Sequence, residues 1–305
     1  MFKKIVISFL SQEMEFYNNF VAKFFVRDIG KDIQVYQKQR PKDCFGRSIA
    51  QYKCQVYPFK KKIFLLNFAS IFLIPAALVI LLLKRKGSIK ENQASVVCYN
   101  CSNYPGSLPD ALCGKEISYI HTLECPYYLR VKDISFLLRF FIRSFRYPFL
   151  SFRVMSKVAK YRALLDSFGE LEVIAVTGEF EDTSSAMTQY CHENGIKHYN
   201  FMQGEAFGSP RSSFFHFDKC YVWDIHYKDM FICFGASPEQ FEVSLPQCLH
   251  KIDGNHDEKT VDYTYYLSAE TGETLRKIVS CLEILAKRGF IVALRPHPRY
   301  TNIEE

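Results

Sequence analysis

The sequence predicts an α/β fold built on a mostly parallel sheet, arranged as two Rossmann-like units of which the second is incomplete. Three observations carry that reading. From residue 171 onward, short apolar runs of strand length alternate with stretches of helical periodicity, and glycines close the turns between them. A polar stretch at 251–260, with Gly254, Asn255 and three acids, separates a first unit of 1–250 from a second of 261–305. With 305 residues and 48% apolar content the chain can bury a core in each unit, which excludes disordered and fibrous classes.

The elements follow in chain order. Residues 4–10 and 32–36 read as two strands, and 95–99 and 117–120 as two more. Between these pairs lies Ile63–Leu83, 21 residues without a charge, which meets the length of a membrane helix. Lysines and an arginine flank it on both sides, at 60–62 and 84–86, so charge asymmetry assigns no orientation to a single span. If the strands before and after it share one sheet, a span would divide that sheet across the bilayer. The reading is therefore a helix inserted in the first unit that dips into one leaflet, kinked at Pro75, with both basic ends on the cytoplasmic side. A buried central helix and a true span are the alternatives.

The net charge of +7 is concentrated in residues 130–162, where nine Lys and Arg side chains stand against one acid, Asp133. Phenylalanines run through the same stretch, the mixture expected of an interfacial helix pair broken at Pro148 and facing an anionic membrane surface; a solvated helical face above an ordinary core stripe is the alternative. No nucleic-acid-binding motif accompanies the charge.

Beyond it, 171–176 is a strand ending at Thr177-Gly178, followed by a helix from Thr183 or Ser184, both good N-caps, to Asn194-Gly195. Strands at 196–202, 219–223 and 240–245 follow, with a helix ending near Phe234-Gly235. The second unit opens with a strand at 262–267. A helix at 270–288 repeats Leu275, Ile278, Val279, Leu282 and Leu285 on one face, and a strand at 290–294 follows it. Eleven cysteines without a compact framework, and no cleavable signal, indicate a reducing cytoplasm. Cys98-x-x-Cys101 has a zinc-like spacing, but Cys113 and Cys125 lie too far apart to complete a finger, and no metal or cofactor is expected.

The last strand delivers Arg295-Pro296-His297-Pro298-Arg299. Two guanidiniums flanking an imidazole, at the carboxyl end of a strand, suit a phosphate. An imidazole can donate a hydrogen bond or a proton to a departing phosphate oxygen, and Arg295 and Arg299 add fixed charge. Glu179, Glu181 and Asp182 follow the strand at 171–176, again at the ligand-binding edge; capping of the next helix is their simpler role.

Four ordered runs carry a resemblance: Phe201-Met202-Gln203-Gly204-Glu205, Arg211-Ser212-Ser213-Phe214-Phe215, Tyr221-Val222-Trp223-Asp224 with His226-Tyr227, and Arg295-Pro296-His297-Pro298-Arg299-Tyr300. Together they resemble bacterial surface-polysaccharide glycosyltransferases of the capsule and lipooligosaccharide sialyltransferase and polysialyltransferase group, and more loosely the glycerophosphotransferases of teichoic acid synthesis. The resemblance covers under half of the chain and implies a GT-B architecture with the site in a cleft between two domains. It implies that His297 serves the leaving nucleotide's phosphate. The group's acid-Asp-Gly motif, whose aspartate is general base, aligns with Glu181-Asp182, here followed by Thr183 in place of glycine; Glu179 is the rival base. Gln203, Glu205, Arg211, Arg295 and Arg299 are the implied substrate-binding residues, with Gln203 standing where related chains have histidine.

The donor so implied is a nucleotide-sugar, of the CMP-linked acidic class. The acceptor is a lipid-linked or membrane-proximal glycan at the cytoplasmic face of the bacterial inner membrane. A truncated, inactive remnant, a non-catalytic membrane scaffold and a CDP-glycerol glycerophosphotransferase-like enzyme are the alternatives.

Overall fold

A computed structural model describes residues 38–56, 60–84, 93–101, 108–202, 204, 214–246, 248, 261–267, 270 and 272–296. The predicted strands at 4–10 and 32–36 and the linker at 251–260 lie outside the described residues. The chain divides into two compact units, Met1–His250 and Lys251–Glu305.

Among the described residues, the first unit holds a six-stranded sheet in which every pairing is parallel, in the order β2-β1-β3-β4-β5-β6. Its strands are β1 (Val96–Tyr99), β2 (Ile117–Ile120), β3 (Val173–Thr177), β4 (Lys197–Phe201), β5 (Lys219–Val222) and β6 (Phe241–Val243). This is an α/β sheet of Rossmann-like type. β1 and the first four residues of β3 are buried throughout, as strands covered on both faces must be.

The helices are α1 (Cys44–Val56), α2 (Lys60–Leu83), α3 (Val131–Arg143), α4 (Pro148–Ser167), α5 (Ser184–Glu193) and α6 (Ile225–Cys233). Connections that advance along the sheet from β2 to β3, β3 to β4 and β5 to β6 put their helices on one face. There Phe136, Val158, Tyr190 and Phe231 pack with Val97, Ile174, Val176 and Val222. The β1-to-β2 connection runs the other way and covers the opposite face, where Leu112 meets Val96, Cys98, Val173 and Ala175.

Helix α4 starts at Pro148, in the first turn where a missing N–H costs no hydrogen bond. It is buried on nearly all sides, with Leu150, Val154, Met155, Val158, Ala159 and Tyr161 each fully enclosed. Yet it also carries Arg162, only 2% exposed, and that charge requires a partner in place. Asp133 of α3 provides it, accepting from Arg162 Nε at 3.0 Å and Nη2 at 2.8 Å. Tyr190 of α5 donates to the same carboxylate at 2.7 Å, and Asn194 accepts from Arg162 Nη2 at 2.7 Å. The second Asp133 oxygen accepts the Arg130 N–H at 2.8 Å, so one carboxylate caps α3 and ties three helices together.

The other cations of 130–162 are also largely matched from elsewhere. Arg130 pairs with Asp166, Arg139 with Glu193 and Arg143 with Asp43. The phenylalanines divide: Phe136, Phe140, Phe149 and Phe152 are core, whereas Phe145 is 69% exposed.

The second unit contains β7 (Tyr263–Tyr266) and β8 (Val292–Arg295), paired in parallel, and α7 (Gly272–Lys287). Leu275, Ile278, Leu282 and Leu285 are the half-buried positions of α7; Val279, which the periodicity places on the same face, is exposed. Gly289, at φ +92°, ends the helix in a conformation that favours glycine.

Removing the Asp133 carboxylate would strand the buried Arg162 charge. Asp133→Ala is expected to lower unfolding stability by about 3–5 kcal/mol in urea denaturation, and an unchanged midpoint would contradict the network's role.

Candidate functional site

The strand order reverses between β1 and β3, so the carboxyl edge of these two strands is where an open α/β sheet leaves a crevice. Both strands leave that edge through residues in the left-handed region. Asn100 follows β1 at φ +56°, a conformation that Asn tolerates better than most residues; Gly178 follows β3 at φ +57°. The turn at Gly178 directs residues 179–183 across the crevice, toward α4.

Three acids in that loop meet a cationic face of α4. Arg153, Lys157 and Lys160 are spaced i, i+4 and i+7, which aligns them along one side of the helix. Arg153 Nη1 lies 2.6 Å from both oxygens of Asp182, and its Nη2 donates to Glu181 at 2.9 Å. Lys157 donates to Glu179 Oε2 at 2.5 Å and to Thr183 Oγ1 at 3.2 Å. The acids differ in access: side-chain exposure is 0% for Asp182, 13% for Glu179 and 35% for Glu181.

Neighbouring elements fix the loop backbone. The Asn200 side chain of β4 accepts the Glu179 N–H at 3.2 Å and donates to the Glu179 carbonyl at 3.3 Å. Gln51 and Gln55 of α1 both donate to the Phe180 carbonyl, at 3.2 and 3.3 Å. The Phe180 ring meets Phe215 and Phe231. Neither Thr183 nor Ser184 caps α5 with its side chain, contrary to the sequence expectation. Ser48 of α1 does so from outside, its Oγ accepting the Ala186 N–H at 2.9 Å.

The charges set different proton affinities. Burial pushes the Glu179 carboxyl above its ordinary range, against the opposing pull of Lys157. Asp182 is raised for the same first reason, against Arg153. Burial would also raise Glu181, but Lys157, Arg153 and Lys160 together carry it below its ordinary value. Burial lowers the Lys160 ammonium, and the charge of Lys157 adds to that effect.

Beside the loop, His198 is fully buried between Tyr161 and Thr188, with contacts of 2.9 Å to each. Thr188 Oγ1 donates to the His216 carbonyl at 2.5 Å, so it accepts from His198 Nδ1–H and leaves Nε2 to accept from the Tyr161 hydroxyl. Burial holds this imidazole neutral. It is a packing group.

Of the residues singled out from sequence, Glu179 and Asp182 are brought together. Arg295 ends β8 in the second unit, its guanidinium 5.5 Å from the Tyr266 ring centroid. Gln203, Glu205, Arg211, His297 and Arg299 lie outside the described residues. Asp224 acts as the N-cap of α6, accepting from the N–H groups of His226 and Tyr227. Sequence reasoning missed Arg153, Lys157, Lys160, Asn200 and the α1 glutamines as parts of this site. The spacing of the three α4 cations was the available signal. Among the described residues, no cluster of three or more metal-ligating side chains is present.

Chemically, the arrangement offers one partly open carboxylate of raised proton affinity, an adjoining ammonium, and a fully buried Asp182 whose pairing with Arg153 holds the loop.

The low proton affinity of Glu181 means that the folded state binds fewer protons there than the unfolded chain. Its stabilisation is full above the ordinary carboxylate pKa and is lost as pH falls through the folded value. Glu181→Gln should therefore be less stable than the parent near about pH 6, with the difference shrinking toward about pH 3. A difference independent of pH in urea titrations would contradict the pairing. No protein-family model, curated protein or solved structure matches this chain.

Proposed function

We propose that the chain is a glycosyltransferase-like enzyme using a nucleotide-activated sugar, with Glu179 as the general base on the acceptor hydroxyl. The observation that carries this reading is the carboxylate of Glu179 at the strand-order reversal, partly open, raised in proton affinity and held by Lys157, while Asn200 fixes the residue's backbone. A base of this kind removes a hydroxyl proton effectively because its conjugate acid is not too strong. Asp182, with both oxygens on Arg153 and no exposure, acts in this reading by positioning the loop.

Donor recognition falls to Arg295, His297 and Arg299, whose charge and proton-donating capacity suit a leaving nucleotide phosphate. In a GT-B arrangement the second unit would supply these groups. The acceptor is a lipid-linked or membrane-proximal glycan, and the donor is of the CMP-linked acidic-sugar class. A scaffold reading has one observation in its favour: each acid in the loop already holds a cation, as a purely structural cluster would.

Calorimetry with CMP, CDP, UDP and GDP tests the proposal. One nucleotide should bind the full chain, His297→Ala should lose it, and Glu179→Gln should keep it while transfer falls by about 10²- to 10⁴-fold. Preference for CDP-glycerol over a CMP-sugar would reassign the donor class, and no binding by folded protein would favour the scaffold. Because the base must be ionised and burial raises its pKa, the transfer rate should climb with pH through a limb above the ordinary carboxylate range. That limb should vanish in Glu179→Gln.

A further inference from the structure

A soluble amphipathic helix hides its apolar side and shows its polar side. Helix α2 does the reverse. The segment Ile63–Leu83 contains two polar residues, and both turn toward the protein. Asn67 Oδ1 accepts the Phe149 N–H at 3.0 Å, and Ser70 is 1% exposed with its hydroxyl on the Leu66 carbonyl. Every exposed position from 63 to 83 is apolar, including Phe64 at 70%, Phe68 at 56%, Phe72 at 65%, Val79 at 55% and Leu83 at 78%. These positions recur at helical spacing, so they form one stripe of roughly 30 Å along the helix.

The opposite side is fastened to the first unit along its length. Asn67 meets the first turn of α4, and the Leu129 N–H donates to the Leu81 carbonyl at 3.0 Å. Ala77 and Leu81 are buried in the core that α4 also builds. The Lys84 ammonium lies 3.1 Å from the Tyr127 ring centroid. A helix so fastened cannot cross a bilayer alone: α4, with Arg153, Lys157 and Arg162 and their acids, would be carried into hydrocarbon beside it.

We infer that α2 lies flat in one leaflet as a monotopic anchor, its outward stripe among the acyl chains and its inward side on α4. The surface it fits is an anionic lipid leaflet. The sequence places lysines at 60–62 and a Lys84-Arg85-Lys86 run at its two ends. Its amino-terminal half also adjoins the turn before α4, where exposed Phe145 and Arg146 add an apolar and a basic group. This deepens the membrane placement of the acceptor in the reading above and rests on that reading only for which membrane is meant.

The test is flotation of the full chain with sealed vesicles, either zwitterionic or containing anionic lipid, beside the double variant Phe68→Asp, Phe72→Asp. Both residues point away from the core, so the variant should keep its circular dichroism and melting temperature. The parent should float with anionic vesicles and the variant should not, while nucleotide binding by the variant stays as in the parent. Tags at both chain ends should remain open to added protease. A parent that stays in solution would overturn the inference, and a dimer abolished by the double variant would reassign the stripe to a second copy. Protection of the amino-terminal tag would overturn the flat placement in favour of a span.

Discussion

Helix α4 runs through the middle of the first unit while carrying Arg153, Lys157, Lys160 and Arg162, and the rest of that unit depends on how those charges are met. An unpaired buried cation is far more expensive than any single apolar contact is favourable. Asp133 from α3 answers Arg162, and the loop after β3 answers Arg153 and Lys157 with Asp182, Glu181 and Glu179. The loop is therefore drawn across the carboxyl edge of β3 by electrostatics, after Gly178 permits the turn. Backbone clamps from Asn200, Gln51 and Gln55 then remove its remaining freedom. Packing, capping and the candidate site are consequences of one requirement.

The same helix separates two kinds of surface. Toward the loop after β3 it supplies charge; toward α2 it supplies an apolar seat that lets a 24-residue helix dock sideways. The acidic loop after β3 and the outward apolar stripe of α2 are thereby held by a common element. An enzyme acting on membrane-proximal acceptors would need that coupling, since the orientation of the crevice relative to the leaflet is then set by the packing of α4.

Much of the secondary structure was legible in the sequence, because local signals were strong. β3 is a continuous apolar run, as a strand buried on both faces must be, and Gly195 and Gly235 close the helices they were expected to close. Pro148 separates α3 from α4 for a local steric reason. Glu179 and Asp182 could be located at a strand end. What escaped was tertiary. Nothing near Thr183 reveals that Ser48, far away in α1, takes over the N-cap of α5. The basic run of 130–162 gives no sign that Asp43, Glu193 and the β3 loop fold back on it, because ion pairs between distant segments leave no local pattern. Helix α1 itself went unread, its buried Ser48, Gln51 and Gln55 weakening the apolar stripe that would have marked it.

The most direct test of this account is a double-mutant cycle between Arg153 and Asp182, using Arg153→Met, Asp182→Asn and the combined variant in equilibrium unfolding. If the buried pair organises the loop, each single change leaves a partner exposed to the full penalty, and the double variant should recover a coupling energy on the order of 2–3 kcal/mol. Additive effects would mean that the two side chains are neighbours without consequence, and the central role given to α4 would fail.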